Sequence, residues 1–389
     1  MSNPEFLNGN QPINQNTKPK MSKKFSRIIQ LLSNWKLWWA KRSKKQKLIL
    51  ATIVVIGLIA LLAGAYSIFK ADKPIQKTVP IVEKKVEIKE PPKPTTEASR
   101  LTGIQVSPEY NQLPVTGVMI ENSPDARPQS GLVDAGVVFE AVAEGGITRF
   151  LTLFQEAQPD YIGPVRSVRP YYLQWLQGFD AAVAHVGGSP EALAKIRNEG
   201  IKDLDQSFNG GSYQRISARY APHNVYTSLG SLIALGKSKG FTGSTFTGFP
   251  RKADTPTAPT AQAIDLSISG PLYNVHYTYD KASNSYQRNE GGTPHKDERS
   301  GKQISPKVVI AAVLAKGIHP DGVHTSYGVI GSGTVYVFQD GIVAQGTWTK
   351  TSDKEQIKFI DGAGAPIPLN TGQTWITAVA GATDVKFTP

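Results

Sequence analysis

The amino-acid sequence predicts an α/β or α+β fold with a mixed sheet in a first extracytoplasmic domain. A mostly β second domain follows, and a single transmembrane helix precedes both. Three observations predict this arrangement: one long apolar segment near the N-terminus, short apolar runs alternating with helical patterns up to about residue 245, and mainly strand-like runs beyond it. At about 150 residues per domain, the 389 residues allow two folded domains plus tails.

The absence of cysteine and the placement of charge exclude several classes of protein. No Cys is present, which excludes disulfide frameworks, Cys-ligated metal sites, Cys nucleophiles and the lipidated Cys of a bacterial lipoprotein. The formal net charge of +12 lies mostly in residues 1–47, which hold 11 basic residues and a single acidic one. Because the remainder is nearly neutral, no nucleic-acid partner is expected.

The transmembrane helix is predicted at residues 48–69, an apolar segment of 22 residues without a charge. At about 1.5 Å rise per residue it extends about 33 Å, enough to cross a hydrocarbon core of about 30 Å. Basic residues crowd its N-terminal side, so the positive-inside rule places the N-terminus in the cytoplasm. The sequence therefore predicts a single-pass, type II protein of the cell membrane with extracytoplasmic domains.

The segments that flank the helix are read as a cytoplasmic tail and a stalk. Residues 1–47 form a basic tail that suits the anionic lipids of the inner leaflet, so membrane lipid is an expected partner. Within it, residues 25–40 place three Trp among apolar and basic residues. This is typical of an amphipathic surface helix or of a juxtamembrane extension with an aromatic belt. Residues 70–100 mix Lys, Glu and five Pro, as an extended stalk does.

The folded part divides at residues 241–260, a Gly-, Thr- and Pro-rich segment that we take as the connection between domains at 101–245 and 246–389. Strands of the first domain are predicted at 115–120, 136–143, 149–155 and 181–186, with helices at 170–178, 190–199 and 229–239. In the second domain strand follows strand, and Asp340-Gly341 between two of them is a hairpin signal.

Eight motifs of the folded part together resemble the YerB-like family of bacterial envelope proteins. They are ENSPDARPQSGL (121–132), EGGITRF (144–150), GPVRSVRP (163–170), HVGGSPEA (185–192), APHNVYT (221–227), GTPHKDERSGKQ (292–303), VYVFQDGIV (335–343) and LNTGQTWI (369–376). The resemblance covers roughly residues 101–386. It implies two adjacent domains of unknown function outside the cytoplasmic membrane, commonly held there as lipoproteins. Since this chain has no Cys, a transmembrane helix stands in for the lipid anchor.

Four arginines near turns of the first domain are candidates for binding an anion. They are Arg127, Arg149, Arg166 and Arg169. The planar guanidinium fork suits a carboxylate or a phosphate, so an anion-binding cleft is one interpretation. The other interpretation is that each arginine pairs with a nearby Asp or Glu and braces its own loop.

Three further polar residues are candidates for ligand binding. His185 ends an apolar strand, a position where α/β sheets commonly hold ligands, although a core histidine with a satisfied hydrogen bond fits the pattern equally well. Ser189 before a Pro is typical of a helix N-cap, and open amides at a helix start can also hold an anion. Asn224 lies in a loop beside His223.

Glu140, Glu144 and His223 are the candidate catalytic residues of an alternative function, a cell-wall-acting hydrolase or lyase. Four residues along a strand separate two Cα atoms by about 13 Å. Glycosidase carboxyl pairs lie about 5–9.5 Å apart, so one Glu would act alone as the acid unless the strand ends early. We favour a cluster of His223, Glu140 and Arg166. Whether any reaction is catalysed stays open at this point.

No cofactor or metal ligand set is predicted, because phosphate-loop, dinucleotide and H-E-x-x-H motifs are lacking. The expected function is that of a membrane-anchored extracytoplasmic envelope protein. Its expected ligand is an anionic or glycan molecule such as a cell-wall polymer, and the alternative partner is another envelope protein.

Overall fold

The computed structural model describes residues 38–68 and 95–389, which belong to two compact units divided between Lys89 and Glu90. The first unit contains helix α1 (Lys44–Ile68). Its stretch Lys44–Leu62 has a mean hydropathy of 2.0 and no buried part, so by length and composition it could cross a membrane. A signal sequence would satisfy the same criteria. Most of the predicted amphipathic segment 25–40, residues 25–37, and most of the predicted stalk 70–100, residues 70–94, lie outside the described residues.

The second unit contains three further helices, α2 (Pro170–Gln177), α3 (Pro190–Glu199) and α4 (Leu229–Ser238), within the described residues. Its strands are, in chain order, β1 (Glu97–Ala98), β2 (Gln105–Val106), β3 (Thr116–Glu121), β4 (Val137–Glu144), β5 (Ile147–Phe154), β6 (Ala182–Ala184), β7 (Tyr213–Arg215), β8 (Val225–Thr227), β9 (Arg251–Lys252), β10 (Ala263–Leu266), β11 (Val275–Asp280), β12 (Ser285–Glu290), β13 (Thr293–Pro294), β14 (Val308–Val313), β15 (Ala315–Ile318), β16 (Thr325–Gly328), β17 (Gly331–Gln339), β18 (Ile342–Lys350), β19 (Lys358–Ile360), β20 (Leu369–Asn370), β21 (Thr374–Val379) and β22 (Val385–Thr388).

A mixed sheet of nine strands forms the centre of this unit, in the order β19-β18-β17-β14-β21-β4-β5-β3-β6. Strand β21 pairs in parallel with β14 on one side and with β4 on the other. It therefore joins strands from residues 101–245 and from residues 246–389 in one sheet. The mixed sheet confirms the predicted fold class. The division at residue 245 stays a prediction about the sequence, while in space the two halves share this sheet.

A second sheet of five strands, β13-β12-β11-β10-β22, comes wholly from the second half and is antiparallel throughout. This agrees with the prediction that the second half is mostly β. The predicted hairpin is present between β17 and β18, where Asp340 and Gly341 have φ angles of +57° and +79°. Positive φ at both positions is the geometry that matches the twist of paired strands.

Helix α2 is held on the large sheet by its aromatic side chains. The Tyr172 hydroxyl lies 2.8 Å from the backbone carbonyl oxygens of both Ala141 and Arg149, which share its single proton. Trp175 stacks on Phe139 of β4 with a centroid distance of 5.1 Å. Because α2 begins at Pro170, directly after the predicted loop arginines, these contacts also fix where that loop lies.

Buried side chains cover both faces of the large sheet. Along β3, Val118 and Ile120 belong to one hydrophobic cluster and Met119 belongs to the other, as strand alternation requires. Both clusters are built from residues between Leu101 and Val385. Residues 95–389 therefore possess a hydrophobic core of their own.

The central position of β21 predicts that the two halves cannot fold separately. Cutting the chain at residue 245 would leave β4 and β21 with unpaired backbone edges inside the molecule. We expect residues 95–389 to unfold in one cooperative thermal transition by circular dichroism, and residues 95–245 or 246–389 alone to show none. A cooperative transition in either isolated half would contradict the shared-sheet interpretation.

Candidate functional site

A β-bulge places the two candidate carboxylates on opposite faces of the large sheet. The pairing of β4 with β5 shifts between Val142 and Glu144, so that Ala143 is an extra residue in β4. A bulge of this kind reverses the direction of the side chains that follow it. Glu144 therefore lies on the face that carries Arg149, while Glu140 lies on the other face, and the two carboxylates do not flank a common space.

Glu140 is fully buried and serves as one half of an ion pair. Its Oε1 accepts a hydrogen bond from Nη2 of Arg288 at 3.0 Å, and both side chains are 0% exposed. Its Oε2 accepts from the indole Nε1 of Trp375 at 2.9 Å. A buried carboxylate needs such partners, since an unpaired charge in the interior costs several kcal/mol. These contacts explain Glu140 without a substrate.

The Arg288 side chain organises a wider network. Its Nη1 donates to the hydroxyl of Tyr277 at 2.8 Å, and its Nε donates to Nδ1 of His295 at 2.9 Å. Because Nδ1 accepts this bond, the ring proton of His295 lies on Nε2 and is shared with Oε1 of Gln129 at 2.8 Å. Burial, together with the charge of Arg288, lowers the pKa of His295, so this histidine is neutral.

Arg127 belongs to the same network, through Asn122 and Glu290. The Asn122 amide donates to Oε1 of Glu290 at 2.6 Å, and Nε of Arg127 donates to Oδ1 of Asn122 at 3.0 Å. Arg127 also lies 3.2 Å from the carboxylate of Glu290. Burial raises the pKa of Glu290 to about 7, with Arg288 opposing this effect and Glu140 adding to it. Arg127 thus braces its loop.

Glu144 is held by two arginines of the predicted set. Nη2 of Arg149 lies 2.7 Å from its Oε1, and Arg169 donates to its Oε2. Burial acting alone would raise the pKa of Glu144, but these two ion pairs lower it below its ordinary value. The carboxylate is therefore ionised at neutral pH, whereas a general acid needs a raised pKa. Arg149 and Arg169 are braces as well.

Arg166 and His223 do meet, but on Glu121 rather than on Glu140. Glu121 ends β3 and is 3% exposed. Its Oε2 lies 2.8 Å from Nδ1 of His223, and its Oε1 lies 3.3 Å from Nε of Arg166. Ser123 adds its hydroxyl at 3.3 Å from the same Nδ1. We call these four side chains the Glu121 cluster.

The geometry of the sheet explains why Glu121 takes this place. Glu121 pairs with Arg149 of β5, and Arg149 pairs with Ala141 of β4, so these three side chains share a face. Glu140 lies on the opposite face and two strands away, about 10 Å. Ala141 shares a face with Glu121, and its neighbour Glu140 points to the opposite face because side chains alternate along a strand. The prediction that Glu140 joins His223 and Arg166 was therefore wrong, and Glu121 takes that place.

The outer atoms of the Glu121 cluster remain open to solvent. The side chain of Arg166 is 26% exposed and that of His223 is 19% exposed. In the part of the chain that the structure describes, neither Nη atom of Arg166 nor Nε2 of His223 makes a hydrogen bond. A guanidinium edge beside an imidazole nitrogen is an arrangement that can bind an anion.

The other three predicted ligand residues support the loops instead. His185 is 0% exposed, and its two ring nitrogens lie 2.8 Å from the carbonyl of Gly187 and 3.0 Å from Oδ1 of Asp203. Ser189 caps α3 by accepting from a backbone amide of the first turn. Asn224 accepts from an arginine of β7 at 2.9 Å. All three are explained by structure.

Sequence reasoning missed Glu121, Arg288 and Glu290. Glu121 had a signal, because it is the one charged residue that ends the apolar run of β3 and it opens a quoted motif. Arg288 and Glu290 look like ordinary exposed positions of an alternating strand. Within residues 38–68 and 95–389, no group of three or more His, Asp and Glu side chains is placed to hold a metal ion.

Comparison with known proteins confirms the resemblance read from the motifs. Residues 101–242 match the family model "Protein of unknown function (DUF3048) N-terminal domain", and residues 264–376 match the corresponding C-terminal domain. The chain is 31% identical over 287 residues to the Bacillus subtilis (strain 168) protein named "Putative lipoprotein YerB", covering 72% of this chain and 85% of that one. The crystal structure of YerB protein from Bacillus subtilis aligns with a TM-score of 0.68 at 28% identity, over 75% of this chain and 99% of the solved chain.

Removing the buried cation should destabilise residues 95–389 strongly. In Arg288→Met, Glu140 loses its cation in the interior, and we expect the free energy of unfolding in urea to fall by about 3–5 kcal/mol. The double variant Glu140→Gln with Arg288→Met removes both charges, so its free energy of unfolding should fall by less than that of Arg288→Met alone. A loss below about 1 kcal/mol in Arg288→Met would contradict the structural role of the pair.

The raised pKa of Glu290 predicts a pH dependence of stability. The folded protein holds this proton up to a pH of about 7, whereas the unfolded chain loses it near the reference pKa of 4.5. The contribution is therefore present below pH 4.5 and is lost as the pH rises through 7, by roughly 1–3 kcal/mol in total. We expect Glu290→Gln to remove this part of the fall in stability between pH 5 and 8, and Glu199→Gln on exposed α3 to leave it unchanged. Parallel pH profiles of the parent and Glu290→Gln would contradict the assignment.

Proposed function

The chain belongs to the family defined by the two DUF3048 domains, and from this membership we propose that it is a membrane-tethered envelope protein that binds an anionic glycan at the Glu121 cluster. One observation carries the proposal. Of the four predicted arginines, Arg166 alone keeps both Nη atoms without a hydrogen bond among the described residues, and it shares Glu121 with His223, whose Nε2 makes no hydrogen bond either.

Glu121 has the right position to prepare Arg166 and His223 for a ligand. Its two oxygens face Nε of the arginine and Nδ1 of the histidine, so both side chains turn their remaining nitrogen atoms outward. With its Nδ1 proton donated to Glu121, a neutral His223 offers Nε2 as an acceptor for a hydroxyl, and a protonated one offers a donor to an anion. The cluster therefore suits a ligand that carries both hydroxyl and acidic groups.

An exposed aromatic residue in the same turn as His223 favours a sugar polymer over a bare anion. The backbone amide of His223 donates to the carbonyl of Tyr220 at 2.9 Å, so both residues belong to one turn. Tyr220 is 92% exposed, which is unusual for a large aromatic residue. Exposed rings offer flat apolar faces against which sugar rings can pack, while the arginine meets a phosphate or carboxylate of the polymer.

The geometry gives less support to the alternative of a cell-wall-acting enzyme. Glu140 has no access to solvent, and Glu144 is ionised by its two ion pairs. Neither side chain contacts His223. A binding module needs no acid with a raised pKa, so the observed pairings are compatible with binding and leave the acid–base mechanism without an acid.

Helix α1 is the proposed tether. Its length and hydropathy allow a membrane span, and basic residues before it favour a cytoplasmic N-terminus. The relative from Bacillus subtilis is named as a lipoprotein, while this chain contains no Cys to carry a lipid. We infer that α1 holds residues 95–389 at the outer surface of the membrane in place of a lipid anchor.

Ligand binding can be tested by co-sedimentation of residues 95–389 with purified cell-wall sacculi. We expect Arg166→Ala to lower the affinity about tenfold or more, because it removes a charge-assisted contact, and His223→Ala to lower it less. Arg197→Ala serves as the matched control, since Arg197 is an exposed arginine of α3 that is not a member of the cluster. Parent-like binding by Arg166→Ala, or no binding by the parent, would contradict the proposal.

The absence of native Cys makes the orientation directly measurable. We expect a membrane-impermeant maleimide to label Lys281→Cys in intact cells and to label Ser43→Cys only after permeabilisation. Lys281 lies in an exposed turn of the folded unit, and Ser43 precedes α1. Labelling of Ser43→Cys but not Lys281→Cys in intact cells would reverse the topology.

A further inference from the structure

A cavity in the folded unit shares no lining residue with the Glu121 cluster. Its volume is about 530 Å³, within the range of about 300–1,000 Å³ that small-molecule sites occupy. Its walls are formed by Gly178, residues 245–250, residues 354–360 and Pro366 and Ile367. The large-sheet edge strand β19 thus faces the segment that connects the two sequence halves.

The lining is mainly aromatic and aliphatic. Phe249 stacks on Phe359 with ring centroids 5.5 Å apart. The ring centroid of Phe246, which also lines the cavity, lies 5.8 Å from that of Phe179. Phe249 and Phe359 are 7% and 4% exposed, so their positions are set by the core rather than by solvent. The interior of the cavity would therefore favour a ring or a short acyl chain over water.

Two polar groups of the lining lack partners. The Gln356 side chain accepts a hydrogen bond from the amide of Gly248 at 3.1 Å through Oε1, but its buried Nε2 has no acceptor in the part of the chain described. An unmade hydrogen bond of this kind costs free energy, and a ligand oxygen would satisfy it. Lys354 is exposed and has no ion pair among the described residues, whereas Lys358 pairs with Glu355.

Lys354 also marks the junction with a more polar cavity of about 310 Å³. Thr245 and Lys354 line both cavities. In the polar cavity Lys202 pairs with Asp180 at 2.8 Å and Glu199 pairs with Lys195 at 2.6 Å, so Lys354 is the lining cation that has no ion pair among the described residues. An apolar chamber next to a polar one, with a free cation between them, matches a molecule that has an apolar body and an acidic head.

The walls of the apolar cavity are held by two close backbone approaches. A Cβ atom at Gly178 would lie 2.7 Å from Cα of Gln356, and one at Gly248 would lie 2.2 Å from the carbonyl oxygen of Arg100. Gly248 also has a φ angle of +77°, which disfavours other residues. The cavity is therefore a built feature of the fold, present before any ligand binds.

We propose that this cavity binds a small anionic amphiphile. Its ring or acyl body fills the space beside Phe249 and Phe359, an oxygen accepts from Nε2 of Gln356, and its carboxylate or phosphate lies at Lys354. Such a molecule has two sources, either as a free metabolite in solution or as a lipid taken from the membrane that tethers the protein.

The test is a fluorescence titration of residues 95–389 with 8-anilinonaphthalene-1-sulfonate, an aromatic anion that fits the proposed chemistry. We expect saturable binding at one site per chain. Thr247→Trp places an indole at the exposed rim of the cavity and should weaken binding about tenfold or more by filling the space. Lys354→Glu should weaken binding about fivefold by reversing the charge.

Two controls separate this site from the rest of the molecule. Lys281→Glu makes the same charge change in an exposed turn and should bind the probe like the parent. Arg166→Ala should also bind it like the parent, so failure here and failure of the glycan proposal are distinguishable. Thermal unfolding of each variant shows that the fold is retained.

Displacement of the probe then identifies the source of the amphiphile. Competition by octanoate without competition by phosphatidylglycerol vesicles supports a free molecule, and competition by the vesicles supports a membrane lipid. The proposal is overturned if the parent shows no saturable site, or if both Thr247→Trp and Lys354→Glu bind the probe with unchanged affinity.

Discussion

The buried ion pair between Glu140 and Arg288 is the interaction on which the rest of the structure depends. It joins β4 of the nine-stranded sheet to β12 of the five-stranded sheet, and both side chains are completely shielded from solvent. Two charges in the interior are tolerated only when their remaining donors and acceptors are satisfied. That requirement brings Trp375, Tyr277 and His295 into one network and links the early and late parts of the chain.

This constraint also determines which residues remain for function. Most of the polar motif residues that the sequence suggests for catalysis or binding form ion pairs or hydrogen bonds with one another, as Glu144 does with Arg149 and Arg169. What the scaffold leaves open is a pair of side chains, Arg166 and His223, held by a nearly buried Glu121. A rigid support that presents a few unpaired donors is the usual design of a recognition site.

Local features of the fold were predictable from the sequence, and contacts between distant strands were not. Apolar runs marked most strands to within a few residues, and the predicted helix at 190–199 coincides with Pro190–Glu199 because its cap and first turn are encoded locally. The insertion of β21 beside β4 depends on residues more than 200 positions apart, and no local pattern reveals it. The bulge at Ala143 was equally hidden in the sequence. Its one extra residue reverses the face on which Glu144 lies and so separates Glu144 from Glu140.

Analysis of the material released from purified sacculi by residues 95–389 tests most directly whether the carboxylates are structural and the Glu121 cluster binds. We expect the protein to sediment with the sacculi and mass spectrometry of the supernatant to detect no new glycan or peptide fragments. New fragments whose release disappears in Glu144→Gln would contradict this expectation, because they would show that a carboxylate assigned here to bracing performs acid catalysis.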